Sequence, residues 1–106
     1  MSCKWIAGAA IVLACSPVFA GGDPVAGKEK AAVCAACHGE TGVSPAPAFP
    51  TLAGQYEDYI VRALKDYKLG KRKNPIMGAQ VTNLTAEDMA DLAAYFSAQE
   101  GLAVKR

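Results

Sequence analysis

Residues 34–38 read Cys34-Ala35-Ala36-Cys37-His38, and the interpretation of the remaining chain depends on this C-x-x-C-H sequence. It is the attachment sequence for c-type haem. A two-residue spacer on one helical turn sets the two thiols at about the separation of the haem's two vinyl groups, to which they add. The adjacent imidazole is then placed to bind the iron as its proximal ligand. The motif therefore predicts a haem held through Cys34 and Cys37, with His38 as a ligand of the iron.

Two other interpretations of the cysteine pair are weaker. A structural zinc site needs four ligands, but His38 is the only histidine in the chain and no cysteine follows Cys37. A thioredoxin-like dithiol requires a βαβ pattern around the pair, and the surrounding sequence shows none. The sequence therefore favours haem attachment.

The first 20 residues have the features of a secretory signal peptide. Lys4 precedes an apolar segment, residues 5–14, which is too short to span a bilayer. Small residues stand at positions −3 and −1 of a cleavage site after Ala20. The alternatives are a retained membrane anchor and lipid attachment at Cys15. The sequence predicts a periplasmic protein with no membrane span after processing, whose mature domain is residues 21–106.

The charge balance of the mature chain is even. Removing Lys4 from the 11 basic residues leaves ten, against ten acidic residues. This balance gives no indication of nucleic-acid binding. Both cysteines that remain after cleavage belong to the motif, so no disulfide is expected even in an oxidising compartment. A domain of this size buries a modest fraction of its surface, and a haem would supply much of its core.

Two of the three main helices predicted for the fold flank the motif. Asp23 is a suitable N-cap and Pro24 suits the first helical position, so a helix is expected from there to about Val33. Between residues 55 and 69 apolar and aromatic side chains recur at helical spacing, which predicts a second helix with one apolar face. Gly70 is expected to end it.

The third main helix is predicted near the C-terminus. Thr85 and Asp88 match a capping box, and the helix should end at about residue 99 or 100, before Gly101. No strand pattern, internal repeat or second domain is visible, so the sequence predicts one all-α domain. The predicted buried face of this helix consists of four side chains: Met89, Leu92, Ala93 and Phe96.

The stretch after His38 is rich in Gly, Pro, Ser and Thr, which predicts an irregular loop. The loop ends in a P-x-L-x-G pattern that contains Pro50 and Leu52. A metal-bound imidazole usually donates its second N–H to a carbonyl or carboxylate, and the Pro50 carbonyl is the candidate acceptor for His38. The alternative is a plain turn followed by a buried leucine.

The sixth ligand of the iron is predicted to be Met77. Electron-transfer cytochromes use a thioether at this position. Met1 lies in the predicted signal peptide, and Met89 lies in the apolar stripe of the last helix, where it is expected to pack in the core. Met77 follows Pro75 and precedes Gly78, so it is expected in a loop that can present its side chain to the iron.

Three further side chains are candidates for contact with the haem: Leu52, Tyr56 and Arg72. Tyr56 begins the aromatic stripe of the second helix, which can form ordinary core, cover a haem, or do both. Arg72 belongs to a run of four basic residues in six positions, with Lys68, Lys71 and Lys73. Such a run can be a solvated loop, a docking patch for an acidic partner, or, at Arg72, a contact to a haem propionate.

Residues 31–39, 50–55 and 92–96 together resemble class I bacterial c-type cytochromes, most closely one half of a cytochrome c4 or a single-haem cytochrome c553. The resemblance covers the mature chain. It implies an N-terminal helix that crosses the C-terminal helix, with Gly27 facing Tyr95 or Phe96. It also implies that His38 and Met77 are axial ligands and that the Pro50 carbonyl orients His38.

The resemblance implies a one-electron carrier that serves an oxidase, reductase or dehydrogenase, rather than an enzyme. A cytochrome c4 has two haem domains, whereas this chain has one C-x-x-C-H sequence, so we expect a monohaem carrier or a weak homodimer. A haem enzyme would need an open distal position and an acid–base residue there. A sensing or structural haem module in a larger complex is the third alternative.

Overall fold

The computed structural model describes residues 21–101, so the predicted signal peptide and the lipid-anchor alternative at Cys15 lie outside the described residues. Within this range the chain contains helices and no strand, which confirms the predicted all-α class. No helix in the range is both long and apolar enough to cross a membrane. The helices are α1 (Pro24–Lys30), α2 (Ala32–His38), α3 (Glu57–Leu69), α4 (Pro75–Val81) and α5 (Ala86–Ser97).

The N-terminal helix is shorter than predicted. It begins at Pro24, where the Asp23 carboxylate accepts a hydrogen bond of 2.9 Å from the Val25 N–H. It ends at Lys30 rather than at Val33, because the chain turns at the buried Ala31 before α2 begins. The C-x-x-C-H motif therefore has a short helix of its own.

Helix α1 crosses α5 at very short range. A Cβ atom added to Gly27 would lie 1.9 Å from the Asp91 carbonyl oxygen and 2.9 Å from the Cβ atom of Tyr95. No side chain fits in this space, so glycine is required by the approach of the two backbones. The predicted contact between Gly27 and Tyr95 is confirmed.

A group of charged residues joins the same two helices. Lys30 Nζ lies 2.6 Å from Asp91 Oδ2 and 2.9 Å from Asp88 Oδ1. The other Asp91 oxygen accepts a hydrogen bond of 2.8 Å from the Asp23 N–H. Asp91 is only 4% exposed, and a buried carboxylate requires such partners. Sequence patterns pointed to Asp88 as a capping residue but did not indicate this ion cluster.

The C-terminal helix forms much of the core. Its N-terminus has the predicted capping box, in which the Asp88 N–H donates to the Thr85 hydroxyl over 3.0 Å and the Thr85 N–H donates to the Asp88 carboxylate over 2.9 Å. The helix ends at Ser97, slightly earlier than expected. Tyr95 is also buried, and its hydroxyl donates to the Glu40 carbonyl over 3.0 Å. The four predicted core positions are all buried: Met89, Leu92, Ala93 and Phe96.

Met77 was expected in a loop, and this prediction is wrong, because the residue lies in α4. Asn74 is the N-cap of this helix, and its side-chain oxygen accepts hydrogen bonds from the Ile76 and Met77 N–H groups at 2.9 and 3.2 Å. Pro75 then occupies the first helical position, where a missing N–H costs nothing. An Asn-Pro pair can start a helix, so the Pro75 and Gly78 on either side of Met77 do not require a loop.

Candidate haem site

A cavity of about 360 Å³ lies between the helices and is closed on one side by the loop after α2. Its size is within the range usual for small-molecule and cofactor sites. Every helix contributes to its walls, and most of the contributing side chains are apolar. The wall includes Lys30, Cys34, Cys37, His38, Pro50, Leu52, Tyr67, Asn74, Ile76, Met77, Leu84 and Phe96.

Helix α2 brings the whole motif to this cavity. Cys34 and Cys37 are three residues apart on the helix and so lie on the same side of it. Both are partly exposed, and they are not joined to each other in a disulfide. Burial raises the pKa of the Cys34 thiol, because desolvation penalises the thiolate. His38, the last residue of α2, is buried at the cavity wall.

The His38 ring is held by the loop that follows it. Its Nδ1 atom lies 2.7 Å from the Pro50 carbonyl oxygen. A carbonyl oxygen can only accept, so Nδ1 carries the proton and Nε2 is the nitrogen with a lone pair for a metal. The structure therefore contains the predicted contact between His38 and Pro50.

Glycines in this loop allow Pro50 to reach the histidine. Gly42 has φ of 89°, and a Cβ atom there would lie 2.8 Å from Cδ1 of Phe96. Its carbonyl oxygen accepts hydrogen bonds from the Leu52 and Ala53 N–H groups, at 2.7 and 3.1 Å. These contacts fold the loop back across the cavity, so that Pro50 and Leu52 both lie in its wall.

The two methionines of the described region lie in different surroundings. Met77 is partly exposed and lies in the cavity wall, where it is the only thioether among the described lining residues. Met89 is 3% exposed and belongs to the core rather than to the wall. The sequence predicted that Met89 packs in the core and that Met77 is the methionine available to the haem, and their positions agree with this. It also predicted a loop around Met77, whereas the residue lies in α4.

Two of the predicted haem contacts are not brought to the cavity. Tyr56 is the N-cap residue of α3 and is 54% exposed. Arg72 is exposed, with its guanidinium 4.9 Å from the centre of the Tyr67 ring and Nη1 3.4 Å from the Tyr59 hydroxyl oxygen. Neither side chain is among the described wall residues. Arg72 is linked to the cavity only indirectly, because it contacts the ring of Tyr67, which is a wall residue.

The residues that are present fit a c-type haem. The wall combines two thiols, an imidazole with Nε2 available, a thioether and apolar side chains. Imidazole with thioether is a ligand pair of electron-transfer haems. No group of three or more His, Cys, Asp or Glu residues suited to a metal ion occurs in the described part of the chain. The zinc alternative therefore has no support from the described geometry.

Comparison with known proteins gives the family. The cytochrome c family model matches residues 25–99. Cytochrome c4 of Pseudomonas aeruginosa is 54% identical over 81 residues, which are 76% of this chain and 40% of that protein. Cytochrome c-554(548) of Halomonas halodenitrificans is 43% identical over 82 residues, which are 74% of this chain and 99% of that protein.

A solved structure, the reduced recombinant cytochrome c4 from Pseudomonas stutzeri, has a TM-score of 0.72 and 47% identity, over 76% of this chain and 47% of that chain. This likeness confirms the predicted fold. The chain spans about half or less of the length of the cytochrome c4 relatives that it matches. The chain thus belongs to the cytochrome c family, and it is a class I c-type cytochrome with a covalently attached haem c.

Proposed function

We propose that residues 21–106 form a monohaem domain that carries single electrons between redox proteins in the periplasm. The observation that supports this most is the convergence of both motif thiols, His38 Nε2 and the Met77 side chain on one apolar cavity. A bound haem supplies an iron that alternates between the ferrous and ferric states. The predicted signal peptide supports the periplasmic location.

The protein's contribution would be to hold in place the two residues that could bind the iron, His38 and Met77. The Pro50 carbonyl fixes the orientation of the His38 ring and makes the ligand more basic. Asn74 caps the helix that presents Met77, so this ligand also lies on a defined element. With both positions filled, small molecules would have no open site on the iron.

The cavity wall favours an electron carrier over a haem enzyme. An enzyme that activates peroxide or reduces a small substrate needs an acid–base group near the open position of the iron. His38 is the only imidazole in the described wall, and no carboxylate occurs there. Among the described wall residues Lys30 is the one with a charged side chain, and it is paired with Asp88 and Asp91. Apolar walls with a thioether ligand also favour the ferrous state and so raise the reduction potential.

A redox titration with a carbon monoxide control tests this function. The purified protein should titrate reversibly with one electron per haem, and carbon monoxide should leave the spectrum of the reduced form unchanged. Rapid carbon monoxide binding by the wild-type protein would mean an open iron and would contradict a carrier with two filled axial positions.

A further inference from the structure

The two residues before α1, Gly21 and Gly22, pack against the helices that face them. Gly22 is buried, and a Cβ atom built on it would overlap the backbone of Ala90 in α5. The next residue is fixed as well, because the Asp23 N–H donates to Asp91 Oδ1 over 2.8 Å. The chain therefore follows a defined course before α1 begins.

The carboxylate of Glu57 lies beside this segment. Glu57 is the first residue of α3, and its Oε2 atom accepts a hydrogen bond of 3.4 Å from the Gly22 N–H. A Cβ atom built on Gly21 would overlap the same oxygen, so the Gly21 backbone approaches it closely. The Gly21 nitrogen is bonded to the Cα atom that would carry this Cβ, which places the nitrogen within about 5 Å of the carboxylate.

A surface groove of about 520 Å³ contains this contact and runs along α3. Its lining includes Gly21, Glu57 and the side chain of Arg62. The Arg62 guanidinium is paired with Asp66 on the same helix, at 3.5 Å. Glu57 is half-buried and forms no ion pair with another described residue. A carboxylate in this position would be stabilised by a positive group nearby.

Cleavage after Ala20, which the sequence predicts, would change the chemistry of Gly21. Before cleavage the Gly21 nitrogen belongs to an uncharged peptide bond. After cleavage it is an α-amino group, which is mainly protonated at neutral pH and then has three hydrogens to donate. A positive charge just before α1 is unfavourable by itself, because a helix presents partial positive charge at its N-terminus. A neighbouring carboxylate offsets this repulsion.

We propose that Glu57 and the groove around it form the binding site for the α-ammonium group of the mature N-terminus, at Gly21. The proposal rests on the predicted cleavage site and goes beyond the carrier function. Opposite charges about 4–6 Å apart favour each other's charged forms. The ion pair ties the start of the chain to α3, and it forms only after the signal peptide has been removed. Processing thereby adds a stabilising contact that the precursor lacks.

Urea denaturation of the holoprotein with two different N-termini tests the proposal. One chain begins at Gly21, and the other carries two additional serine residues before Gly21, which move the amino group about 7 Å along the chain. In the first chain Glu57→Gln should raise the equilibrium constant for unfolding about two- to fivefold, the range expected for a largely exposed ion pair. In the second chain the same substitution should change this constant much less.

Glu29→Gln is the matched control, because it removes the same charge. Glu29 is exposed on α1 and is not among the residues that line the groove, so its substitution should have the same effect in both chains. Equal effects of Glu57→Gln in the two chains would overturn the proposal, since the carboxylate would then act on the Gly22 N–H or on α3 alone. An intact mass that places the mature N-terminus at another residue would also overturn it, and the redox titration tests the carrier function separately.

The carbon-13 signal of the Glu57 carboxyl group provides a direct test of the contact. An α-ammonium group ordinarily loses its proton at about pH 8, so this signal should shift between about pH 7 and pH 9 in the chain that begins at Gly21. It should stay nearly constant in the chain with two added serines.

Other ionisable groups near Gly21 do not confuse this comparison, because they are the same in both chains. In the described part of the chain these groups are Asp23, Asp58, Arg62, Lys65 and Asp91. A difference between the two chains therefore reports the α-amino group alone. A Glu57 signal that stayed constant in the chain beginning at Gly21 would overturn the proposal.

Discussion

At the residue scale, two hydrogen-bond acceptors position the two side chains that we propose as ligands of the iron, His38 and Met77. The Pro50 carbonyl holds the proton of His38 on Nδ1, at a distance of 2.7 Å. The Asn74 side chain starts the helix that carries Met77. Each acceptor acts on one proposed ligand, so the two side chains are positioned by separate local structures.

The assignment of Met77 predicts different results for the two methionines. Met77→Ala should abolish the weak near-infrared absorption of ferric His/Met haem and let carbon monoxide bind the reduced protein. Met89→Leu should leave both properties unchanged, since it conserves the volume of a core side chain. Absorption and carbon monoxide difference spectra of the two variants would check this. The reverse pattern would assign the sixth ligand to Met89.

Substitution of Gly27 should test the close crossing of α1 and α5. Gly27→Ala places a methyl group where the Asp91 carbonyl oxygen would be 1.9 Å away. The helices must separate, and we expect a loss of about 2 kcal/mol in the free energy of unfolding. Gly78→Ala is the control, because a Cβ atom there meets nothing within 4 Å. Chemical denaturation should show a large loss for the first variant and none for the second.

At the scale of the helices, the ion cluster of Lys30, Asp88 and Asp91 joins α1 to α5. Hydrogen bonding from the Thr85 backbone, with that from Lys30, lowers the pKa of Asp88 to about 2. The Asp23 N–H, followed by Lys30, lowers the pKa of Asp91. The two carboxylates in turn raise the pKa of Lys30. The folded state therefore favours the charged form of all three groups.

The direction of these pKa shifts predicts how stability depends on pH. Carboxyl groups with a lowered pKa in the folded state stabilise it above their unfolded pKa of about 4, and this contribution is lost as the pH falls toward about 2. The raised pKa of Lys30 acts in the opposite range, so its contribution is complete below a pH of about 10 and declines only above it.

Removing one carboxylate should therefore change both stability and its pH dependence. Asp91→Asn should lower the free energy of unfolding by about 2 kcal/mol near neutral pH, because charge-assisted hydrogen bonds are lost. Its stability should also fall less steeply than that of wild type between about pH 5 and pH 2. Urea denaturation across this range measures both effects. Glu87→Gln, at an exposed position of the same helix, should follow the wild-type curve.

At the scale of the whole molecule, the haem and the fold depend on each other. The cavity of about 360 Å³ lies between all five helices, and core residues such as Phe96 form part of its wall. A volume of this kind would be a destabilising void unless the haem filled it. Haem attachment therefore completes the core as well as the redox site.

Intact mass of the secreted protein tests processing and attachment together. We expect the mass of Gly21–Arg106 plus one haem, because the motif follows a predicted signal peptide. A mass without haem would contradict attachment, and a mass that retained residues 1–20 would contradict cleavage. Sedimentation equilibrium on the same sample would test the weak homodimer, which stays a prediction.

Much of the site was predictable because its signals are local in sequence. Three of these signals each span only a few residues: the C-x-x-C-H motif, the capping box at Thr85 and the helical spacing of the buried face of α5. Residues so close in sequence interact directly, so their contacts follow from local geometry. The contact between His38 and Pro50 spans only 12 residues. It follows from the need of a metal-bound imidazole for an acceptor.

The tertiary structure alone decided which side chains form the cavity wall. Tyr56 and Arg72 lie close in sequence to wall residues but point elsewhere, because wall membership depends on how helices distant in sequence pack. The ion pair of Lys30 and Asp91 spans 61 residues, and no local pattern connects them. By itself, the sequence determined the cofactor, its attachment and the helical class. The packing of α1 on α5 and of α3 on α4 determined the shape of the cavity and the position of the charge beside it, since both require contacts between distant segments.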